Sequence, residues 1–273
     1  MIPVAFDYVQ ATSVDEAVSL LSSYGNDAKL LAGGHSLIPL MKLRLASPSV
    51  LIDVGRLAEL SYVRDASDSV AIGALTRHWE LETSQLLKTH VPILAHVAGL
   101  VGDPQVRHRG TIGGALAHGD PASDLAAVVL ALEGTFRARG PDGEREIPAT
   151  EFFVDFLETA LHPDEVLTEI RLPKMDGGGW SYQKFNRRAL DWAIVGVAAV
   201  RNATTRVALV NMGPTPLRAR NVEHALSSGA NAVDAARLAG NGTEPPSDFN
   251  ASPEYRRHLA QVLVRRALEA ANT

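Results

Sequence analysis

Two glycine-rich segments, more than seventy residues apart, restrict the folds open to this chain more than any other feature. The first, Leu31-Ala32-Gly33-Gly34-His35-Ser36, joins a short apolar run to a stretch with helical potential. Glycines at such a strand-to-helix junction take positive φ and let the main chain approach a ligand closely. The following helix adds its positive end, so the pyrophosphate of a dinucleotide is a natural guest. On its own a Gly-Gly pair is more often a plain tight turn. The second segment, Gly110-Thr111-Ile112-Gly113-Gly114 followed by Gly119-Asp120-Pro121-Ala122-Ser123-Asp124, falls in a stretch, 102–124, that is poor in periodicity and dense in Gly, His, Asp and Pro. Such a stretch reads as a binding loop, and two loops of this kind suit one extended ligand. Neither carries the Gly-Lys-Ser/Thr of a P-loop or the Gly-x-Gly-x-x-Gly of a Rossmann unit, which disfavours both.

Composition narrows the chemistry. The chain has no cysteine, which removes disulfides, thiolate nucleophiles, zinc-thiolate sites and cysteine-ligated iron–sulfur clusters together. Redox chemistry would have to use a bound organic cofactor. A net charge of −5 without long runs of like charge points to neither nucleic acid nor an anionic membrane. The longest apolar runs, Leu125 to Leu132 and Ala193 to Val200, are far shorter than the roughly 20 residues that span a bilayer. With no secretory signal visible, a soluble cytoplasmic chain is expected. His35, His108, His118 and Asp120 lack the spacing of a metal site, so none is expected. Arg256, Arg257, Arg265 and Arg266 recur at helical spacing and read as a solvated face.

The elements follow from local signals. Ser13 with Glu16 is a capping-box pattern before an apolar helical face, which predicts a helix over 14–24. Strands are expected at 29–32 and 50–54, making the opening residues a compact βαβ-type unit. Further on, a strand is expected at 70–72, a helix after a cap-like Thr76, a helix over 92–98, a buried helix over 125–132, a hairpin at 135–147 turning on Pro141-Asp142-Gly143, and a strand at 166–172. Gly177, Gly178 and Gly179 mark a linker, which places a boundary near 175. Beyond it, strands near 180–185, 193–201 and 206–211 and helices near 219–227, 231–239 and 254–270 predict a three-stranded antiparallel sheet backed by helices. The division expected is 1–56, 57–175 and 176–273.

Ala32-Gly33-Gly34-His35-Ser36-Leu37, with Thr111-Ile112-Gly113-Gly114 and Gly119-Asp120-Pro121, resembles the paired FAD motifs of the flavoprotein (medium) subunits of molybdenum hydroxylases, most closely those of the aerobic carbon monoxide dehydrogenase type. The likeness extends from Phe6-Asp7-Tyr8 through Met41-Lys42-Leu43-Arg44 to Asp164-Glu165-Val166-Leu167 and Leu217-Arg218. It implies an α+β chain: a two-subdomain FAD-binding domain of the vanillyl-alcohol-oxidase type, then a smaller α/β C-terminal domain. By the same likeness the pyrophosphate segment carries over to Ala32, Gly33, Gly34, His35, Ser36 and Leu37. The second segment carries over to Thr111, Gly114, Asp120 and Asp124, the last as acceptor for a ribityl or adenosine hydroxyl. Leu167 resembles a position whose backbone approaches the adenine or the ring system, and Lys184 one that lies near the flavin. Trp192 falls where relatives place a tyrosine beside the isoalloxazine; the alternative is a core tryptophan of the sheet. Ala115 departs from the polar residue of many relatives. The resemblance favours noncovalent FAD over a tether at His35.

The function so implied is electron transfer. A large partner subunit would hold the molybdopterin cofactor, a small partner would hold two [2Fe–2S] clusters, and this chain would pass electrons through FAD to an external acceptor, in a dimer of heterotrimers, with no side chain as acid or base. The competing expectations are a stand-alone flavoenzyme with a proton donor among Tyr182, Lys184 and Arg187, and a nucleotide-binding assembly scaffold.

Overall fold

The computed structural model describes residues 2–175 and 177–271; position 176, where the third unit is expected to begin, and positions 272–273 at its end lie outside them. The chain opens with β1 (Asp7–Gln10), α1 (Val14–Tyr24), β2 (Ala28–Leu31), α2 (Leu37–Leu43) and β3 (Val50–Asp53). The strands form a parallel sheet in the order β1-β3-β2. The helix over 14–24 forms as its signals predict: the Ser13 hydroxyl accepts from the Glu16 N–H at its start, and Ala17, Val18 and Leu21 face the sheet.

The second sheet is built from β4 (Val63–Ala66), β5 (Ser69–Gly73), β6 (Thr135–Gly140), β7 (Gly143–Pro148) and, beyond a small β8 (Phe153–Asp155) and β9 (Glu158–Thr159) ribbon, β10 (Val166–Pro173). It is antiparallel in the order β4-β5-β10-β6-β7. Between β5 and β6 run α3 (His78–Thr83), α4 (Gln85–His90), α5 (Pro92–Ala98), α6 (Pro104–Arg109), α7 (Ile112–Ala117) and α8 (Asp124–Ala131), with α9 (Ala149–Phe152) after β7. Two expectations change here. The stretch 102–124 is not a long loop: it holds α6 and α7, six residues each and too short to show a helical period in sequence. Nor does Thr76 cap a helix. Its hydroxyl donates to the Tyr62 carbonyl and accepts from the Tyr62 N–H, and α3 begins after Arg77.

The third sheet comprises β11 (Gly179–Phe185), β12 (Val195–Arg201), β13 (Thr205–Val210) and a short β14 (Leu217–Arg218), with α10 (Arg220–Ser227), α11 (Ala232–Ala236) and α12 (Pro253–Ala270) on one face. The sheet has four antiparallel strands where three are expected, because two residues after Pro216 suffice to pair with Ala208 and Leu209. The apolar run of β12 is explained by its two faces. Val195, Val197 and Ala199 enter the core under α10–α12, while Ala198 and Val200 enter the core shared with the second sheet, so both faces of the strand are buried.

Arg256 corrects the reading of a solvated arginine face. It is 0% exposed, donates from one guanidinium nitrogen to the Ile194 carbonyl, and pairs with Asp248 at 2.8 Å. Helical spacing shows which residues share a face but not that the chain at 248 returns to cover that face. Arg256→Ala is expected to lower the free energy of unfolding in urea by about 2–3 kcal/mol, since it opens a cavity and strips the Ile194 carbonyl of its donor. A change within about 0.5 kcal/mol, the range of surface substitutions, would show that the guanidinium is dispensable.

Candidate functional site

The first glycine segment leaves the carboxyl end of β2, where the ladder closes with the Val54 N–H on the Leu31 carbonyl at 3.0 Å. Gly34, at φ +76, turns the chain into α2, whose first bond runs from the Ile38 N–H to the Gly34 carbonyl. A side chain at that φ would be strained. Among the described residues the main-chain N–H groups of Gly33, Gly34, His35 and Ser36 meet no protein acceptor. Four consecutive donors at the end of a parallel strand can converge on an anion. The exposed His35 ring turns back to the Gly33 carbonyl, and Leu37 is the first residue of α2.

This segment opens into a cavity of about 600 Å³ between the first and second sheets. Leu31 through His35, Ile38, Pro39, Asp53, Gly55 and Arg56 line one side, and Arg77 and Arg109 the other. The Asp53 carboxylate is already engaged, by the Gly55 N–H at 2.7 Å and the Tyr8 hydroxyl at 2.5 Å. The Arg77 guanidinium donates to the Arg109 carbonyl. Burial, and after it the neighbouring Arg109 charge, lowers the Arg77 pKa. Behind this wall the buried His78 ring packs under Gly110, with Nδ1 unpartnered. Burial first, then the charges of Arg77, His35 and Arg107, push its pKa down to about 4, so the imidazole is held neutral.

The second glycine segment serves another purpose. Thr111 caps α7 by accepting from the Gly114 N–H, the Ile112 N–H donates to the Thr76 carbonyl, the Gly113 N–H to the Ala74 carbonyl, and the Ala115 N–H to the Thr111 carbonyl. These amides are committed to the protein. A Cβ at Gly113 would stand 2.6 Å from the Ala74 carbonyl oxygen, and one at Gly33 only 2.4 Å from that of Arg109. Both glycines thus permit close approach of main chain to main chain. Gly114 is exposed. Asp120 shapes its own turn, its carboxylate accepting from the Ala122 N–H and its carbonyl from the Ser123 N–H.

At the far end, Asp124 is buried at the start of α8 with both oxygens engaged, by Lys184 at 2.7 Å and by the Tyr182 hydroxyl. Burial raises the Asp124 pKa against the pull of Lys184, and burial raises that of Tyr182 well above its ordinary value. Of the three residues named as proton donors for a stand-alone enzyme, Tyr182 and Lys184 converge on Asp124, whereas Arg187 lies exposed in the following loop. Leu167 is buried in β10, whose next residue, Thr168, accepts from the Ala74 N–H and so adjoins α7. Trp192 is 60% exposed, which excludes the core-tryptophan alternative. Its neighbour Ala193 accepts from the Asn211 side chain, and the Asn211 N–H donates to the Pro121 carbonyl, so the loop of Trp192 is tied to the 119–124 turn. Sequence reasoning missed Arg56, Arg77, Arg109 and His78, since nothing local marks residues that meet only across two sheets.

The sequence profile of the FAD binding domain in molybdopterin dehydrogenase matches residues 4–175. The chain belongs to that family. The profile of the CO dehydrogenase flavoprotein C-terminal domain matches residues 180–271. The flavoprotein is 43% identical to the carbon monoxide dehydrogenase medium chain of Hydrogenophaga pseudoflava over 99% of this chain and 98% of that one. It is 38% identical to the 6-hydroxypseudooxynicotine dehydrogenase complex subunit alpha of Paenarthrobacter nicotinovorans, over 99% and 96%. A solved structure of carbon monoxide dehydrogenase from Hydrogenophaga pseudoflava, lacking the molybdenum-pyranopterin moiety of its cofactor, superposes with a TM-score of 0.96 at 45% identity, over 99% of this chain and 98% of that one. The α+β architecture is that of the vanillyl-alcohol-oxidase type of FAD domain with a flavoprotein C-terminal domain, and the protein is an FAD-dependent oxidoreductase subunit of the carbon monoxide dehydrogenase and xanthine dehydrogenase family.

Two outcomes are expected. Gly33→Ala should destabilise even the cofactor-free chain by about 1–3 kcal/mol, because the methyl group meets the Arg109 carbonyl; thermal unfolding without FAD measures it, and an unchanged apo-protein would mean that Gly33 matters only for the ligand. His78 titrates near 6.5 when unfolded and near 4 when folded. Between those values the unfolded chain binds the extra proton, so stability falls as pH drops, by up to about 3 kcal/mol over the whole window. His78→Gln should flatten this acid limb in denaturation curves. A limb identical to that of the parent protein would assign it to carboxylates alone.

Proposed function

We propose that the flavoprotein holds FAD noncovalently along the line from the cavity to the Asp124 cluster, and through it passes electrons from partner subunits to an external acceptor. The observation that carries this reading is the set of four unpartnered amides, Gly33 to Ser36, opening into a cavity of dinucleotide-compatible size. These amides would take the pyrophosphate, with Ala32 and Leu37 bounding the segment. Thr111, Gly114, Asp120 and Asp124 would bound the middle of the cofactor, and Leu167, Lys184 and Trp192 would stand near its ring system. FAD exchanges electrons one or two at a time, which links single-electron carriers to a two-electron acceptor.

The chain's own contribution is binding and tuning. The Asp124 carboxylate holds the Lys184 ammonium in a fixed, charge-compensated position beside the proposed ring site, and Trp192 offers an exposed aromatic face there. No side chain need move a proton. With no cysteine, the chain has no thiolates to ligate iron–sulfur clusters; the family likeness assigns two [2Fe–2S] clusters to a small partner and the molybdopterin cofactor to a large one, in a dimer of heterotrimers, and the cytoplasm is the proposed location. The names of the relatives, a medium chain and a complex subunit, support assembly with other chains, and they attach to carbon monoxide in one case and 6-hydroxypseudooxynicotine in the other. We therefore assign choice of substrate to the large partner. Among the described residues no helix is long and apolar enough to cross a membrane.

Purification from the native host should yield the chain with two others and with molybdenum, iron and flavin. An active FAD monomer free of both metals would overturn the multi-subunit reading. Trp192→Ala should leave thermal stability unchanged while shifting flavin fluorescence and the rate of acceptor reduction; an unaltered flavin spectrum and rate would remove Trp192 from the site.

A further inference from the structure

The turn that follows α11 in the third unit places an asparagine amide beside a main-chain nitrogen able to attack it. Asn241 precedes Gly242 there, and both are exposed. The Asn241 N–H closes the turn on the Leu238 carbonyl at 3.0 Å, and its own carbonyl accepts from the Asn221 side chain on α10 at 3.4 Å. Among the described residues the Asn241 side-chain amide has no hydrogen-bond partner, and the Gly242 N–H meets no acceptor. Gly242 sits at φ +72. Outside its chain neighbours, a Cβ built there would meet a single atom within 4 Å, Asn221 Nδ2 at 3.9 Å. The nitrogen after Asn241 is therefore neither bonded nor screened by a side chain of its own.

The other asparagines of the described residues lack this combination. The side-chain amides of Asn186, Asn211, Asn221 and Asn231 donate to acceptors in the protein. Asn250 is followed by Ala251, whose N–H is held by the Asp248 carboxylate. Asn26 and Asn202 precede Asp27 and Ala203, each of which carries a side chain beside the nitrogen that would attack.

We propose that Asn241 is a site of spontaneous deamidation, through a succinimide closed by the Gly242 nitrogen. The Gly242 N–H gives its proton to solvent base, and the nitrogen bonds to Asn241 Cγ. The bond from Cγ to the side-chain nitrogen breaks, and that nitrogen leaves as ammonia, protonated by solvent. Water then adds to one of the two ring carbonyl carbons and the ring opens. Opening at Cγ leaves aspartate. Opening at the original main-chain carbonyl carbon leaves isoaspartate, whose main chain is one methylene longer. The two products act differently on the fold. Aspartate adds a negative charge to an exposed turn. Isoaspartate also lengthens the main chain next to Thr243, which is buried, donates its hydroxyl to the Gly240 carbonyl and accepts from Arg257 of α12. With Thr243 fixed on one side and Asn221 on the other, the added methylene has to be absorbed within the turn, so the isoaspartyl form is the less stable one.

The test incubates the full-length chain at mildly alkaline pH, digests it with trypsin and sequences the peptide Leu238–Arg256 by mass spectrometry; Asn250 in that peptide is an internal control. Position 241 is expected to become a mixture of the two acids at least about 10-fold faster than Asn250, and within about 10-fold of the rate in the free synthetic peptide. The rate should rise with pH. Enzymatic methylation of isoaspartyl carboxylates should label the same peptide, and chain enriched in isoaspartate should unfold at a lower temperature than Asn241→Asp. Asn241→Gln should keep its amide, since the larger ring it would need closes more slowly. If Asn241 survives as long as Asn250, or converts more than about 100-fold more slowly than in the free peptide, the folded turn protects it and the proposal is overturned.

Discussion

The approach of the Gly33 main chain to the Arg109 carbonyl is the contact on which the site depends. A Cβ at 33 would lie 2.4 Å from that oxygen, so only glycine lets the turn after β2 rest against the end of α6. The same seam is secured on the second unit's side by main-chain bonds from Ile112 to Thr76 and from Gly113 to Ala74, and by a bridge between Arg77 and Thr111. Glycine in the first segment thus has two duties. Gly34 bends the chain so that its amides point outward, and Gly33 lets the bent chain be seated against a second body.

A second joint sets the other end. Asp124 on α8 meets Lys184 and Tyr182 on β11, the Asn211 N–H reaches the Pro121 carbonyl, and Glu133 pairs with Arg206 and Arg218. Burying the Asp124–Lys184 pair carries a desolvation cost that an apolar pair would avoid. What the ionic pair adds is direction: the third sheet is held at one register relative to α8, and the core formed by α8 with Ala198, Val200, Ala208 and Val210 fixes the separation.

Much of this was legible in the sequence where the signal was local. The Ser13 cap with Glu16 turned back to Thr12, the Pro92 start of α5 and the Pro141-Asp142-Gly143 turn each specify an element through interactions within a few residues, and those elements form where expected. The paired glycine segments marked the family. What could not be read is what depends on encounters across the chain. In α6 and α7, six residues each, tertiary bonds to residues 74 and 76 replace periodicity. Arg256 is buried because Asp248 and Ile194 meet it from other elements. Arg56, Arg77 and Arg109 share a cavity only once two sheets dock.

The two joints and the cavity bear on each other energetically. Gly33 to Ser36 are half-buried or exposed, so water can serve their amides, whereas the closeness of the Arg77 and Arg109 charges opposes folding, since like charges repel. His78, held neutral beneath Gly110 by burial and by the surrounding cations, records that field. The chain tolerates it because the opposing contacts are tightly packed glycine-to-carbonyl contacts and continuous apolar cores, neither of which weakens when charge accumulates nearby. The repulsion is confined to side chains around the cavity and does not reach the apolar cores. The stability of the frame therefore comes from main-chain packing at the joints and from the apolar cores, and does not depend on the charges those joints hold apart.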